Sequence, residues 1–239
     1  MADGWTIVLD IGKSIAKATL WDDGGMLCAR RSRTNPKLDS DGYWGLDAVG
    51  IERWLTGVLA DFARFGPVGA IVPVAHGAGA ALIRDGRLQC LPVDYEWPGV
   101  AEGRGAYDRR RESFVITGSP ALPAGLNLGI QLHWLDGRSA SDLRSARIVP
   151  WAQYWAWLLS GVLASEFTSV GCHTDLWRPF ARTPSSLAIS HGWAERLAPL
   201  TPARNVLGTL RKNWAEHTGL SRNVEILCGL HDSNAALLS

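Results

Sequence analysis

Residues 5–22, WTIVLDIGKSIAKATLWD, constrain the fold more than any other stretch. An apolar run, Ile7, Val8 and Leu9, ends in Asp10, and a turn follows at Ile11-Gly12-Lys13-Ser14. Apolar residues then resume in partial alternation at Ile15, Ala16, Ala18 and Leu20, up to a second turn at Asp22-Asp23-Gly24-Gly25. That period predicts a β-hairpin, not a helix. Its tip carries a carboxylate, a glycine, an ammonium and a hydroxyl. Such groups suit a phosphate and its metal: glycine lets the backbone approach, exposed N–H groups cradle oxygens, and lysine adds charge. The same Asp and Gly also suit an ordinary turn. A P-loop is excluded, because G-x-x-x-x-G-K-[ST] is absent and no helical pattern follows Lys13.

Composition narrows the partners. The 239 residues are 46% hydrophobic, enough for one large core or two small ones. A net charge of +1 gives no polyelectrolyte signal, and the run Arg109-Arg110-Arg111 reads as a solvated face, so nucleic acid is not an expected partner. No apolar run reaches membrane length, and no signal peptide is recognised. Cys28, Cys90, Cys172 and Cys228 are far apart with no C-x-x-C, so their spacing indicates neither a zinc site nor a disulfide framework. Free, buried thiols in a reducing cytoplasm fit this pattern. Twelve tryptophans are enough that a surface cleft or interface is expected to share them with the core.

Residues 26–33 predict a third strand of the same meander, and 35–45 a polar loop. Apolar residues at Val49, Ile51, Trp54, Leu55, Val58, Leu59 and Phe62 predict a helix over 47–65, stopped by Gly66-Pro67. Residues 68–75 predict a buried strand ending at His76-Gly77, where open α/β sheets place ligand groups. Asp85-Gly86 marks a hairpin. Residues 92–111 lose the pattern, with Asp94-Tyr95-Glu96-Trp97 as a polar-aromatic loop, and 117–128 form a long loop. Residues 128–135 and 150–163 predict helices, 146–149 a strand, and 167–177 a turn-rich polar segment in which His173 and Asp175 read as a pair supporting a site from behind or, the favoured reading, as a surface turn. Short helices are expected at 190–197 and 212–218, the latter ended by Gly219, and strands at 208–210 and 224–228. The turn Gly229-Leu230-His231-Asp232-Ser233-Asn234 then leads into a helix over 235–238.

Asp10-Ile11-Gly12-Lys13-Ser14-x-x-Lys17 resembles the first phosphate loop of the FGGY carbohydrate kinases, a branch of the actin and hexokinase superfamily. Cys228-Gly229-Leu230-His231-Asp232-Ser233-Asn234-Ala235-Ala236 resembles that family's G-x-x-D-x-x-A-A segment. Gly77, Asp85-Gly86 and Tyr95 are similar to its sugar-facing region, and Thr117-Gly118-Ser119-Pro120 to its T-G-N-P. Trp134-Leu135, the LLSG at 158–161 and Gly219-Leu220 follow in family order. The His231-Asp232 pair stands closest to the rhamnulokinase and fuculokinase side. Two features depart from the pattern: Lys13 replaces a common Thr, and Tyr95-Glu96-Trp97 stands where W-x-D-x-R is usual.

The resemblance implies an α/β, ribonuclease H-like domain, a mixed sheet with an antiparallel three-strand meander flanked by helices. It implies that 1–239 is a single N-terminal kinase domain, with the nucleotide-binding second domain outside this chain. It implies ATP-dependent phosphorylation of a ketose or polyol in the cytoplasm. Asp232 would be the general base, Asp10 would hold Mg, and Gly12, Lys13, Ser14 and Lys17 would meet the phosphates. His76, Gly77, Tyr95, Glu96 and His231 would contact the sugar. Asp232 also suits a helix N-cap, and both roles can hold at once. The chain alone is expected to be inactive and to self-associate through the surface that a second domain would cover, to which some tryptophans and 235–238 would belong. A non-catalytic sugar-binding domain, and another phosphotransferase or nucleotide hydrolase of the superfamily, are the alternatives.

Overall fold

A computed structural model describes residues 4–138 and 141–237, with the side chains of 141 and 142 left out. The predicted hairpin is present: Trp5–Ile11 pairs antiparallel with Ile15–Trp21, which pairs with Leu27–Thr34. On the other side of Trp5–Ile11 lies Val68–Ala75, parallel to it, and beyond that Glu225–Leu227, also parallel, with Val206–Thr209 antiparallel at the edge. The sheet is therefore mixed, with the meander at one side and two parallel neighbours at the other.

Alternation explains which face is packed. Ile7, Leu9, Ile11, Ala16, Ala18, Leu20, Ile71 and Ile226 point into one core and are essentially solvent-free. Helices Ala48–Phe62 and Trp151–Ser160 lie in that core, contributing Ile51, Leu55, Leu59, Phe62 and the stacked pair Trp151 and Tyr154. The opposite face, Thr6, Val8, Ala70 and Val72, is only half-buried, and Ala70 and Val72 are the half-buried members of the otherwise buried strand expected at 68–75. A second core collects Leu82, Val93, Tyr107, Leu132, Ile148, Leu176 and Trp193 around the small sheet of Ala80–Arg84, Arg87–Leu88 and Arg147–Pro150.

Local departures have local causes. The expected loop at 35–45 contains a hairpin, Leu38–Ser40 with Tyr43–Gly45, turned by Asp41 and Gly42 at φ +50° and +76°. Two positive φ angles are what a two-residue hairpin turn needs. Unpredicted helical turns occur at Arg104–Asp108, Phe114–Thr117 and Phe167–Gly171. The final helix spans Asp232–Ala236, so it begins earlier than expected; Leu238 lies outside the described residues. Trp5, Trp21, Trp44, Trp54 and Trp97 are half-buried and the other tryptophans are buried; Trp21 lines a surface hollow. Of the four free thiols only Cys228 is fully buried. Among the described residues, no helix is long and apolar enough to cross a membrane.

Candidate functional site

The sheet register assembles the site. Ile11, Ala75 and His231 stand side by side on three adjacent parallel strands, and Asp10, Val74 and Leu230 form the row below. Two strand spacings separate the outer members, roughly 10 Å. Asp10, His76 and Asp232 therefore leave the sheet at the same end, outside the carboxyl ends of the parallel strands.

Gly229 makes this possible. The strand Glu225–Leu227 steps at Cys228 and Gly229 and rejoins its neighbour as Leu230–His231. Gly229 has φ +75°, and a Cβ there would sit 2.0 Å from the Pro73 carbonyl oxygen. Only glycine can pass so close. Gln153, buried on helix Trp151–Ser160, donates to the carbonyls of Cys228 and Gly229 at 3.1 and 3.2 Å and fixes the step.

His231, not Asp232, is the N-cap of the last helix: its Nδ1 lies 3.1 Å from the Ser233 amide. Asp232 is the first helical residue. Its Oδ1 accepts from the Ser233 amide at 2.6 Å and lies 3.2 Å from His231 Nδ1, and the carboxylate is partly open to solvent. His76, Tyr95, Cys172, His173 and His231 all lie within electrostatic reach of it.

Around that carboxylate the imidazoles are short of partners. His76 is half-buried as a residue, but both ring nitrogens are shut off from solvent and neither has a hydrogen bond. Burial holds it down at about 4, against 6.5 ordinarily. Its ring meets Tyr95 edge-on at 5.6 Å. His173 Nδ1 and His231 Nε2 are likewise buried without a partner, and burial lowers both. Gly77 makes room for His231: a Cβ there would lie 2.3 Å from its Nε2.

The loop after Asp10 divides its roles. Asp10 sits directly opposite Lys17 and pairs with its ammonium at 2.9 Å; both remain partly exposed. Gly12 closes the tight turn by donating to the Ile15 carbonyl, and Ser14 is exposed. Asn35 donates to the Gly12 carbonyl and ties the loop down. Lys13, expected at a phosphate, is instead turned to the aromatic loop. Its Nζ lies 3.2 Å from Asp94 Oδ1, 2.5 Å from Glu96 Oε2 and 4.9 Å from the centre of the Tyr95 ring. Burial alone would lower this ammonium, yet its bonds to Glu96 and Asp94 outweigh that and raise it. Bonds from Lys13 and then Lys37 hold Glu96 down at about 2. Lys13, Asp94 and Glu96 line a cleft of about 140 Å³ with Ser14, Asn35 and Lys37. A larger hollow, about 1060 Å³, opens beside Thr6, Asp22, Val72 and Glu225, but it gathers none of the residues just described.

Sequence reasoning missed Cys172, His173 and Gln153. A surface turn was the favoured reading of His173, yet it lies 5.2 Å from His231, ring to ring. Asp175, assigned to the same turn, is fully buried and salt-bridged to Arg111 at 2.7 Å, with the Tyr107 hydroxyl at 2.5 Å. A left-handed pair at His173 and Asp175 in a Cys-His-Thr-Asp stretch carries no periodic signal; only distant partners fix it.

A scan against protein-family models and a search of curated proteins gave no match. Solved structures do match. A carbohydrate kinase from Novosphingobium aromaticivorans is 48% identical with a TM-score of 0.94, over 100% of this chain and 51% of that one. A ligand-bound xylulose kinase from Lactobacillus acidophilus is 17% identical with a TM-score of 0.83, over 98% and 49%. A Plasmodium falciparum glycerol kinase with ADP is 11% identical with a TM-score of 0.82, over 98% and 50%. The last two share the fold alone. The chain spans about half the length of each.

Proposed function

The chain belongs to the carbohydrate kinases, and from that premise we propose that it is the sugar-binding half of an FGGY-type enzyme that phosphorylates a sugar or polyol hydroxyl. One observation carries the reading: the register that brings Asp10 and Asp232, some 220 residues apart in sequence, to the same sheet end beside His76. The strand order, a meander followed by two parallel strands, fits a ribonuclease H-like domain.

In the reaction, the sugar oxygen attacks the terminal phosphorus of ATP while Asp232 accepts the hydroxyl proton. The bond from that phosphorus to the ADP oxygen breaks. Such a base contributes about 10²–10⁴-fold. Asp232 suits the role because its carboxylate is open on the cleft side and oriented on the other by the Ser233 amide. Magnesium fits Asp10: the residue offers hard carboxylate oxygens at the open sheet end, neutralised here by a single lysine. Bound there with ATP, the metal would supply charge neutralisation. Gly12 and Ser14 would lie along the phosphates, with Lys17 close by. His76 and Tyr95 would face the sugar, since unpartnered imidazole nitrogens and an aromatic face suit hydroxyls and a carbon chain, and His231 would stand behind them beside Asp232. Gly77 acts by clearance. Lys13 and Glu96 belong to this sugar side, and the lysine's role shifts from phosphate to substrate loop.

Matching half the length of its relatives supports the half-molecule reading, as does the half-buried sheet face. Coupled ADP release against a panel of ketoses and polyols tests both. The enzyme carrying its second domain should release ADP only with sugar, at about 1–100 per second, and the 239-residue chain alone should release none. Sugar-independent release would favour a nucleotide hydrolase. Ordinary kinase turnover by the chain alone would overturn the half-molecule assignment.

A further inference from the structure

We infer that Cys172, His173 and His231 form a binding site for a transition-metal cation of the zinc type, with three protein ligands and a fourth position open. The Cys172 sulfur and one ring nitrogen from each histidine lie within 4.8 Å of one another. Tetrahedral zinc holds such atoms at about 2.0–2.3 Å, which sets them roughly 3.3–3.8 Å apart. Small side-chain rotations close that difference.

A second observation points to a ligand. His231 is 1% exposed, and its Nε2 is buried with no hydrogen-bond partner; His173 Nδ1 is in the same state. Burying a polar nitrogen unpaired is unfavourable, so two such atoms on rings whose centres lie 5.2 Å apart call for an occupant. The far side of His231 suits a metal. As the helix cap, Nδ1 accepts from the Ser233 amide at 3.1 Å, but that amide also donates to Asp232 Oδ1 at 2.6 Å. A cation at Nε2 would move the ring proton to Nδ1, 3.2 Å from Asp232 Oδ1, and the amide would keep its Asp232 partner. A carboxylate behind a metal-bound histidine fixes the tautomer and raises the ring's basicity.

The surroundings hold the set in place. His173 and Asp175 have φ +40° and +64°, a conformation that persists only where neighbours over-determine it. Here Arg111 salt-bridges Asp175, Asn127 donates to the His173 carbonyl, and the Ser119 hydroxyl accepts from the Asp175 amide. Gly77 leaves the space His231 fills. One thiolate and two imidazoles select a borderline-soft cation over magnesium. The site is thus separate in chemistry from Asp10, and its test does not depend on kinase activity.

The test is titration of metal-free protein with cobalt(II), followed by absorbance. One cobalt per chain should bind, with tetrahedral d–d bands and a near-ultraviolet thiolate charge-transfer band, and zinc(II) should displace it. Cys172→Ser should lose the charge-transfer band, and His173→Gln should weaken binding at least about tenfold. Cys28→Ser should change neither. Cooperative thermal unfolding of each variant confirms that it is folded; should Cys172→Ser fail this check, His173→Gln and Cys28→Ser carry the test. No stoichiometric binding, a charge-transfer band that survives Cys172→Ser, or unaltered affinity in His173→Gln would overturn the site.

Discussion

At Gly229 a single missing Cβ decides where the Asp232 carboxylate can stand. The backbone there is left-handed and passes the Pro73 carbonyl closely, so any side chain must push two parallel strands apart. Gly229→Ala should therefore destabilise the fold by about 3 kcal/mol or more, a strain-and-clash effect at the upper end for single substitutions. A urea midpoint within error of the parent would remove the step from the account. His76 gives a pH signature. Its folded-state value of about 4 lies below the ordinary 6.5, so on acidification the unfolded chain takes up the proton first. Stability from this group is fully present above about 6.5 and falls as the pH drops towards 4. Burial shifts His173 and His231 in the same direction, and they add to the slope. Urea midpoints should fall between pH 7 and 5, and His76→Gln should flatten part of that fall. Glu96 and Glu112, held at about 2 by Lys13 and Arg178 respectively, act only at lower pH.

Among the elements, helix Ala48–Phe62 shows how a start signal works. Asp47 accepts from the Gly50 amide at 2.8 Å with one carboxylate oxygen and holds Arg33 at 2.6 Å with the other. Asp47→Ala should cost about 2 kcal/mol or more, since it removes a cap and leaves a mostly buried guanidinium unpaired. Thermal unfolding of this variant, compared with Asp61→Ala on the exposed face, measures the difference. That helix was legible because its apolar spacing and its stop lie within one stretch. The meander was legible for the same reason, through the alternation of Leu9, Ala16, Ala18 and Leu20. The turn at residues 172–175 was not, because its order comes from Arg111, Ser119 and Asn127, dozens of residues away. The partners of Lys13 were hidden on the same grounds: Asp94 and Glu96 lie about 80 residues downstream. The hairpin at 38–45 had a signal in Asp41-Gly42, masked by the polar residues around it. Asp10 and Asp232 could be picked out as strand-end aspartates, but only pairing through residues 68–75 brings them together.

On the scale of the whole molecule, the sheet has one face packed on a helical core and one face half-buried, with its polar groups converging at one end. Under the proposed half-molecule assignment, a cleft between this domain and a second one would exclude water and align phosphate with hydroxyl. The central claim is that Asp232 removes the sugar proton. The measurement that tests it most directly is the turnover and sugar affinity of Asp232→Asn in the two-domain enzyme. The account predicts an unchanged unfolding midpoint and sugar Kd with kcat lower by about 10²–10⁴-fold. A variant that turns over as fast as the parent would contradict it.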